Sequence, residues 1–372
     1  MNILLTNATD IFAGGEDYVL ILGRYLAARG HRVWVSARPG HLLLRKCEES
    51  SLPTVPVAYG DMARVFRVGA ELRARVRERN IDIVHSNANY DRTCAAIATA
   101  WTRARHIAGV HSTHSIQHNI THFLRNRFGT SHFITDADAG RDVLIREDGI
   151  PPGRITTVPI GIEGDDAGAS AGLRSATRRS LGIPDDVLVI GNVARLVPFK
   201  GHALLLDAAA GVLAAHPRAL FLIVGDGELE EELSARASAL GIAGSVRFLG
   251  FRDDLRALYP AFDIYCHSSL ELAAEMFPIA VLRSLAGALP VVCTRVGGIA
   301  AMVEEGVSGF LTPPGDADAL ATGLLRVAGN AGLRGSMGKA SLGLFERKYR
   351  AETMAESVEH VYLRHVPHPG TS

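Results

Sequence analysis

The chain has 372 residues, 47% apolar and 21% charged, which is more than one ordinary core needs and points to two globular domains. Lysine plus arginine equals aspartate plus glutamate at 39 each, and no nucleic-acid partner is expected. Cys47, Cys94, Cys266 and Cys293 are scattered without a Cys-x-x-Cys pair, which argues against a disulfide framework or a structural zinc site and fits a reducing, cytoplasmic setting.

In chain order, Met1-Asn-Ile-Leu-Leu-Thr-Asn7 has no basic leader, so no signal peptide is expected. Ile3–Leu5 reads as a short buried strand. A Gly14-Gly15 turn then opens a helix from about Glu16 to Arg29, which Gly30 ends before a strand at Val33–Ser36. Arg64, Arg67, Arg73, Arg75, Arg77 and Arg79 alternate with Val65, Phe66, Val68, Leu72 and Val76. That is a basic amphipathic helix, either the solvated face of a sheet-covering helix or a surface for anionic lipid. It gives residues 1–160 20 basic against 15 acidic side chains, and leaves the remainder 19 against 24. Ile81–Val84 is a strand, Thr93–Arg103 a helix, and His106–Val110, Phe133–Thr135 and Ile155–Val158 further strands. His114, His118 and His122 would share one helix face, a spacing known from zinc sites, but no Glu or Cys accompanies them and no metal is expected.

Gly161 to Ser180 turns to Gly, Ala, Ser and Asp and reads as a linker. The alternation then restarts with a strand at Leu188–Val193, a helix at Ala203–Ala215 and a strand at Ala219–Val224 running into Gly225-Asp-Gly227. Val246–Leu249, Ile264–Cys266 and Pro290–Cys293 follow as strands. No run approaches the roughly 20 apolar residues of a membrane span. Short apolar strands alternating with helices, twice over, predict an α/β protein with two parallel, doubly wound sheets.

Two stretches carry the chemistry. Asn192-Val-Ala-Arg195-Leu-Val-Pro-Phe-Lys200-Gly201 follows a strand and precedes a helix, and Glu275-Met-Phe277-Pro278-Ile279-Ala280 leads through a short helix to Pro290-Val-Val and Gly297-Gly298. Together they resemble the retaining GT-B glycosyltransferases of the family numbered four (glycosyl transferases group 1). The resemblance implies GT-B architecture, two Rossmann-like domains facing across a cleft. Residues 1–165 would be the acceptor domain, residues 166–345 the nucleotide-sugar domain, and residues 346–372 a tail whose helix, Arg347 to His365, crosses back to the first. It also implies transfer of a sugar from a UDP- or GDP-linked donor to an acceptor hydroxyl with retained configuration. The acceptor would be a bacterial surface glycan such as lipopolysaccharide or capsule, or its lipid-linked precursor, with peripheral contact at the inner face of the plasma membrane. No metal or cofactor is implied.

By the same resemblance, Arg195 and Lys200 hold the donor diphosphate and compensate its charge, a task for cations in a water-poor site. Glu275 and the amides after it, over Phe277, Pro278, Ile279 and Ala280, hold the sugar and phosphates. His111 touches the transferred sugar, with His114 as its alternative, and Gly14-Gly15 approaches an anion through backbone N–H groups. Gly225, Gly227, Phe251 and Arg252 lie in loops near the nucleoside. Glu271 competes with Glu275 if the loop carries an insertion.

Two positions depart from the pattern. Arg283 stands where a second Glu, eight residues after the first, would accept hydrogen bonds from the ribose diol, and a guanidinium has no acceptor. Ala301 replaces the Glu of Gly-Gly-x-x-Glu-x-Val. Two readings follow: a working transferase with an altered donor pocket, or a catalytically silent GT-B subunit that binds a partner or glycan. A nucleotide-sugar epimerase or a glycogen-type phosphorylase on the same architecture fits less well, since the first lacks Glu-x-Phe-Pro and the second needs a much longer chain.

Overall fold

The computed structural model describes residues 1–10, 14–60, 62–164, 167–270 and 275–366. The chain forms two units, one made of residues 1–163 together with the segment from Arg350 onward, the other of Gly164–Tyr349.

The first unit is built on a parallel six-stranded sheet: β1 (Asn2–Thr6), β2 (Arg32–Ser36), β3 (Ile83–Ser86), β4 (Arg105–Val110), β5 (His132–Thr135) and β6 (Ile155–Thr157). Their order is β2-β1-β3-β4-β5-β6, with Ile3 beside Val33 on one side and Ile83 on the other. These strands are nearly continuous apolar runs because helices cover both faces. The second unit repeats the plan with β7 (Val189–Val193), β8 (Leu220–Val224), β9 (Val246–Phe248), β10 (Ile264–His267), β11 (Val291–Thr294) and β12 (Gly309–Thr312), in the order β12-β11-β10-β7-β8-β9. Its core joins Ile190, Phe221 and Ile264 from the sheet to Leu205, Val212 and Leu324 from covering helices. In each unit the order reverses beside the first strand, next to β3 or β10. That reversal opens a crevice at the strands' carboxyl ends, where open α/β sheets bind ligands.

Three sequence expectations are corrected. The expected linker contains a helix, Ala167–Ser180. Its composition lacks a clear apolar period, but Arg174 and Arg178 fasten it to Asp263 at 2.5 and 2.6 Å, and the buried Arg178 also donates to the carbonyls of Pro184, Asp185, Val187 and Ala261. The helix expected at Thr93–Arg103 runs from Asn89 to Thr99, because the Asp91 carboxylate takes the Ala88 N–H at 2.8 Å and starts the first turn earlier. The closing helix is Ala351–Leu363, separate from Ala331–Lys348.

That closing helix belongs to the first unit and packs on the helix Gly14–Ala28. Glu359 meets Arg29 and His31, and the Tyr362 hydroxyl lies 2.6 Å from His85 Nδ1. Its entry is set by Gly161, where the Ala351 N–H donates to the Ile162 carbonyl at 2.9 Å. A Cβ at Gly161 would stand 2.3 Å from the Arg350 carbonyl oxygen and 2.9 Å from Met354 Cβ. Gly161→Ala is therefore expected to destabilise the protein by about 1–3 kcal/mol through overpacking. Chemical denaturation checks this, and an unchanged midpoint would show that the closing helix gives way freely.

Candidate functional site

In the second unit the segment after β7 and the segment after β10 lie side by side, as their neighbouring strands require. Leu270 N–H donates to the Phe199 carbonyl at 2.8 Å and Ser268 Oγ to the Lys200 carbonyl at 3.0 Å. Gly298 N–H donates to the Glu275 carbonyl at 3.0 Å, tying in the Gly297-Gly298 turn. This stitching brings Lys200 and Glu275, 75 positions apart, into a direct ion pair.

Glu275 is buried, and its Oε1 also accepts from Ser269 Oγ at 2.6 Å and meets His267 Nε2 at 3.2 Å. His267 is oriented in turn by the Tyr265 hydroxyl, 3.1 Å from its Nδ1. Burial alone would push the Glu275 carboxyl up, but the hydrogen bond and charge of His267 together with the charge of Lys200 outweigh it and hold the group at about 2. The site thus keeps a fixed carboxylate, one of its oxygens occupied by protein donors. Arg195 is exposed nearby, its guanidinium 6.0 Å from the Phe199 ring, and Lys200 Nζ lies 5.3 Å from the same ring.

Gly225 and Gly227 have a structural reason to be glycine. Their φ angles are +133° and +156°, and a Cβ would meet the Ala194 or Leu196 carbonyl oxygen at 2.0 or 2.4 Å. Between them Asp226 accepts from the Leu196 N–H at 2.8 Å, so this turn cradles the Arg195 segment. Phe251 is 72% exposed, and Arg252 is engaged by Asp254 at 2.8 and 2.6 Å. Phe277 is buried with its ring 5.5 Å from that of Tyr349, whose hydroxyl donates to the Ala301 carbonyl. Pro278 is the N-cap of the helix Ile279–Ala286, which presents Ile279, Ala280 and Arg283. Arg283 is half-buried and pairs with no described acid. It lies near Tyr259, whose hydroxyl burial pushes up while the Arg283 charge pulls against the rise. Glu271 lies outside the described residues.

In the first unit, Gly14 and Gly15 are the first residues of the helix Gly14–Ala28. His111 follows β4. Its Nδ1 lies 2.9 and 3.0 Å from the two Asp136 oxygens and its Nε2 3.2 Å from Asn87 Oδ1. The Asn87 NH₂ donates to the Thr6 and His85 carbonyls, which fixes the amide with its oxygen toward His111. Both ring nitrogens therefore lie against oxygen atoms, which fixes the plane of the ring. His114 and His118 lie in a loop before the short helix Ile120–Leu124, so His114, His118 and His122 do not share a helix face. The Asn119 side chain accepts from the His122 N–H and begins the helix after His118. Among the described residues no three His, Cys, Asp or Glu side chains gather to hold a metal ion, and no helix is long and apolar enough to cross a membrane.

The sequence reading missed Asp136, Asn87, His267 and Ser269. Each lies within two residues of a strand's carboxyl end, which was the available signal. It also missed His202, buried just after Lys200-Gly201 with both ring nitrogens unpartnered.

Residues 12–165 match the family model described as Glycosyltransferase Family 4, and residues 174–342 match that described as Glycosyl transferases group 1. The chain is 36% identical over 206 residues to D-inositol 3-phosphate glycosyltransferase 2 of Catenulispora acidiphila, which covers 52% of this chain and 47% of that protein. It is 32% identical over 157 residues to the lipopolysaccharide core biosynthesis glycosyltransferase LpsE of Rhizobium meliloti, covering 42% and 44%. The chain spans about half the length of the curated relatives it matches. Among solved structures it resembles Anabaena HepE in complex with UDP, with TM-score 0.85 and 23% identity over 98% of this chain and all of that one. A glycosyltransferase of Rickettsia africae gives TM-score 0.86 at 18% identity over 98% of each chain. Both structural likenesses speak to fold.

Burial holds the imidazoles of His85 and His106 down at about 3 and that of His202 at about 4. Each ring stays neutral in the native protein, while the unfolded ring takes a proton as the pH falls through about 6.5. Their contribution is complete above that pH and is lost on acidification toward the native values, at up to about 1.4 kcal/mol per pH unit for each. Asp91, which burial raises to about 6, opposes this as a single group. The thermal midpoint is expected to fall between pH 7 and pH 5. A midpoint that holds or rises over that interval would contradict the burial of these rings.

Proposed function

We propose that this chain, which belongs to the GT-B glycosyltransferases of group 1, is an enzyme that moves a sugar from a nucleoside diphosphate donor to an acceptor hydroxyl with retained configuration. The observation that carries the reading is the ion pair of half-buried Lys200 with buried Glu275, beside the exposed Arg195, at the topological switch point of the second sheet. As the glycosidic bond to the diphosphate breaks, negative charge grows on the leaving oxygens. Two cations beside a low-dielectric wall stabilise it without a metal ion. Glu275 retains one oxygen that protein donors leave open, and a carboxylate held ionised accepts hydrogen bonds from sugar hydroxyls. Solved UDP complexes of a protein with this fold, and relatives named as glycosyltransferases, support a nucleotide-sugar donor.

The relative named for lipopolysaccharide core synthesis supports a surface glycan as acceptor. Peripheral contact with an anionic membrane is part of the same reading, carried by exposed Phe66, Arg67 and Arg77 on the helix Val65–Glu78. That face is less basic than its sequence. Arg73 turns to the Ile97 carbonyl and the Trp101 ring, and Arg75 and Arg79 share Glu78. Arg283, without a described acid partner, is free to donate to a donor oxygen, which favours a working transferase with an altered ribose contact over a silent subunit.

Calorimetric titration with UDP and GDP, paired with turnover of the matching sugar donors, tests this. The wild type should bind one nucleotide in preference, with activity unaffected by EDTA, and Arg195→Ala should lower turnover roughly 100-fold or more while the fold persists. A protein that binds neither nucleotide at millimolar concentration would be the silent subunit.

A further inference from the structure

Within the first unit a pocket of about 280 Å³ opens at the end of β4 and the start of the helix Asn89–Thr99, lined by Asn87, Asn89, Arg92, His111, His114 and His118. Ser112 and Ser115 complete its polar wall, and no acidic side chain lines it. Arg92 is 3% exposed, yet it forms no ion pair with a described residue. One Nη donates to the Gly109 carbonyl at 3.0 Å, the other reaches Asn89 Oδ1 at 3.4 Å, and Nε is buried without a partner. Beneath it the buried Arg125 donates to Asn89, Thr93, Asn126 and the Ile116 carbonyl, all neutral acceptors.

Two guanidiniums are thus buried together with neutral oxygens alone as hydrogen-bond partners. The two nearby acids are turned to other donors. Asp91 accepts from Thr6 and from the Asn87 and Ala88 N–H groups, and Asp148 from Ser115 and the Ile116 N–H. Burial pulls Arg92 down to about 10 and Arg125 to about 9, the latter lowered further by the Arg92 charge. The charges of Asp91 and Asp148 offset only part of this, since neither acid bonds to a guanidinium, and an incoming anion relieves the remaining cost. Both nitrogens of His111 lie against Asp136 and Asn87.

We propose that this pocket binds an oxyanion carried by the acceptor, a phosphate ester or a carboxylate, so that the enzyme glycosylates an acidic sugar or a phosphorylated alcohol. The assignment of that anion to an acceptor rests on the transferase reading above. The existence of the anion site does not.

The whole protein is titrated calorimetrically with glucose 6-phosphate, glucuronate, glucose and, separately, UDP. Saturable binding of at least one acidic sugar is expected, with glucose at least about tenfold weaker. A response to glucose 6-phosphate alone assigns a phosphate ester, and a response to glucuronate a carboxylate. Ser112→Asp puts a negative charge on the pocket wall without touching the buried arginines, and Arg92→Gln removes the cation. Each should weaken acidic-sugar binding by at least about tenfold and leave UDP affinity unchanged, so an Arg92→Gln chain that fails to fold leaves Ser112→Asp to decide. Equal binding of glucose and the acidic sugars, no binding of either acid, or wild-type binding in Ser112→Asp overturns the proposal. So does loss of acidic-sugar binding in Arg195→Ala, which would assign the anion to the second unit. Acidic sugars binding to a wild type that ignores every nucleotide would instead sink the transferase reading and leave the anion site standing.

Discussion

The second unit depends on one constraint: a buried carboxylate must be paired. Glu275 is buried, and it is stable there because Lys200, His267 and Ser269 converge on one of its oxygens. Removing a partner from such a pair costs about 3–5 kcal/mol, because the remaining charge is stranded. That demand fixes where the Lys200 segment sits and, through Ser268 and Leu270, how the loop after β10 lies against it. The Gly225–Gly227 turn supports the same segment from the other side. A cation and an anion that could each contact a nucleotide sugar are therefore held in place before any ligand arrives, which is the condition for electrostatic stabilisation without reorganisation.

The first unit uses the opposite arrangement. Arg92 and Arg125 are buried with neutral hydrogen-bond partners, their charge offset only in part by Asp91 and Asp148, and Arg92 lines a polar pocket. The two switch points of the same doubly wound plan thus carry different electrostatics, one built on a Lys–Glu ion pair with an exposed arginine beside it and one on buried arginines that no acid bonds directly. Topology alone does not distinguish them. The difference lies in which side chains follow each strand: in β10 a His-Ser-Ser run leads to Glu275, whereas β4 leads into a histidine- and serine-rich loop.

Much of this was legible in the sequence. Alternating apolar runs give both sheets, since strands covered on both faces must be apolar throughout, and Arg195, Lys200 and Glu275 stand out by their places after strands. The helix Ala167–Ser180 was not legible, because its order comes from Arg174 and Arg178 reaching Asp263 nearly 90 residues away. The expected helical histidine face failed for a local reason, the Asn119 cap that starts a turn after His118. Asp136, Asn87, His267 and Ser269 were missed because they act through contacts set by strand order, and a chain without relatives beside it does not display strand order. Gly225 and Gly227 stand out in the sequence as a turn after a strand, and their glycine identity follows from the carbonyl groups of Ala194 and Leu196.

The central claim is that Lys200 and Glu275 act as one unit. A double-mutant cycle in turnover of the preferred nucleotide sugar, with Lys200→Met, Glu275→Gln and the combined variant, tests it most directly. The account predicts that each single change lowers kcat/KM severely and that the combined variant is scarcely worse than the poorer single one, because the second change removes a partner already stranded. Losses that multiply, so that the combined variant falls by the product of the two, would mean that the residues act independently and would contradict the account.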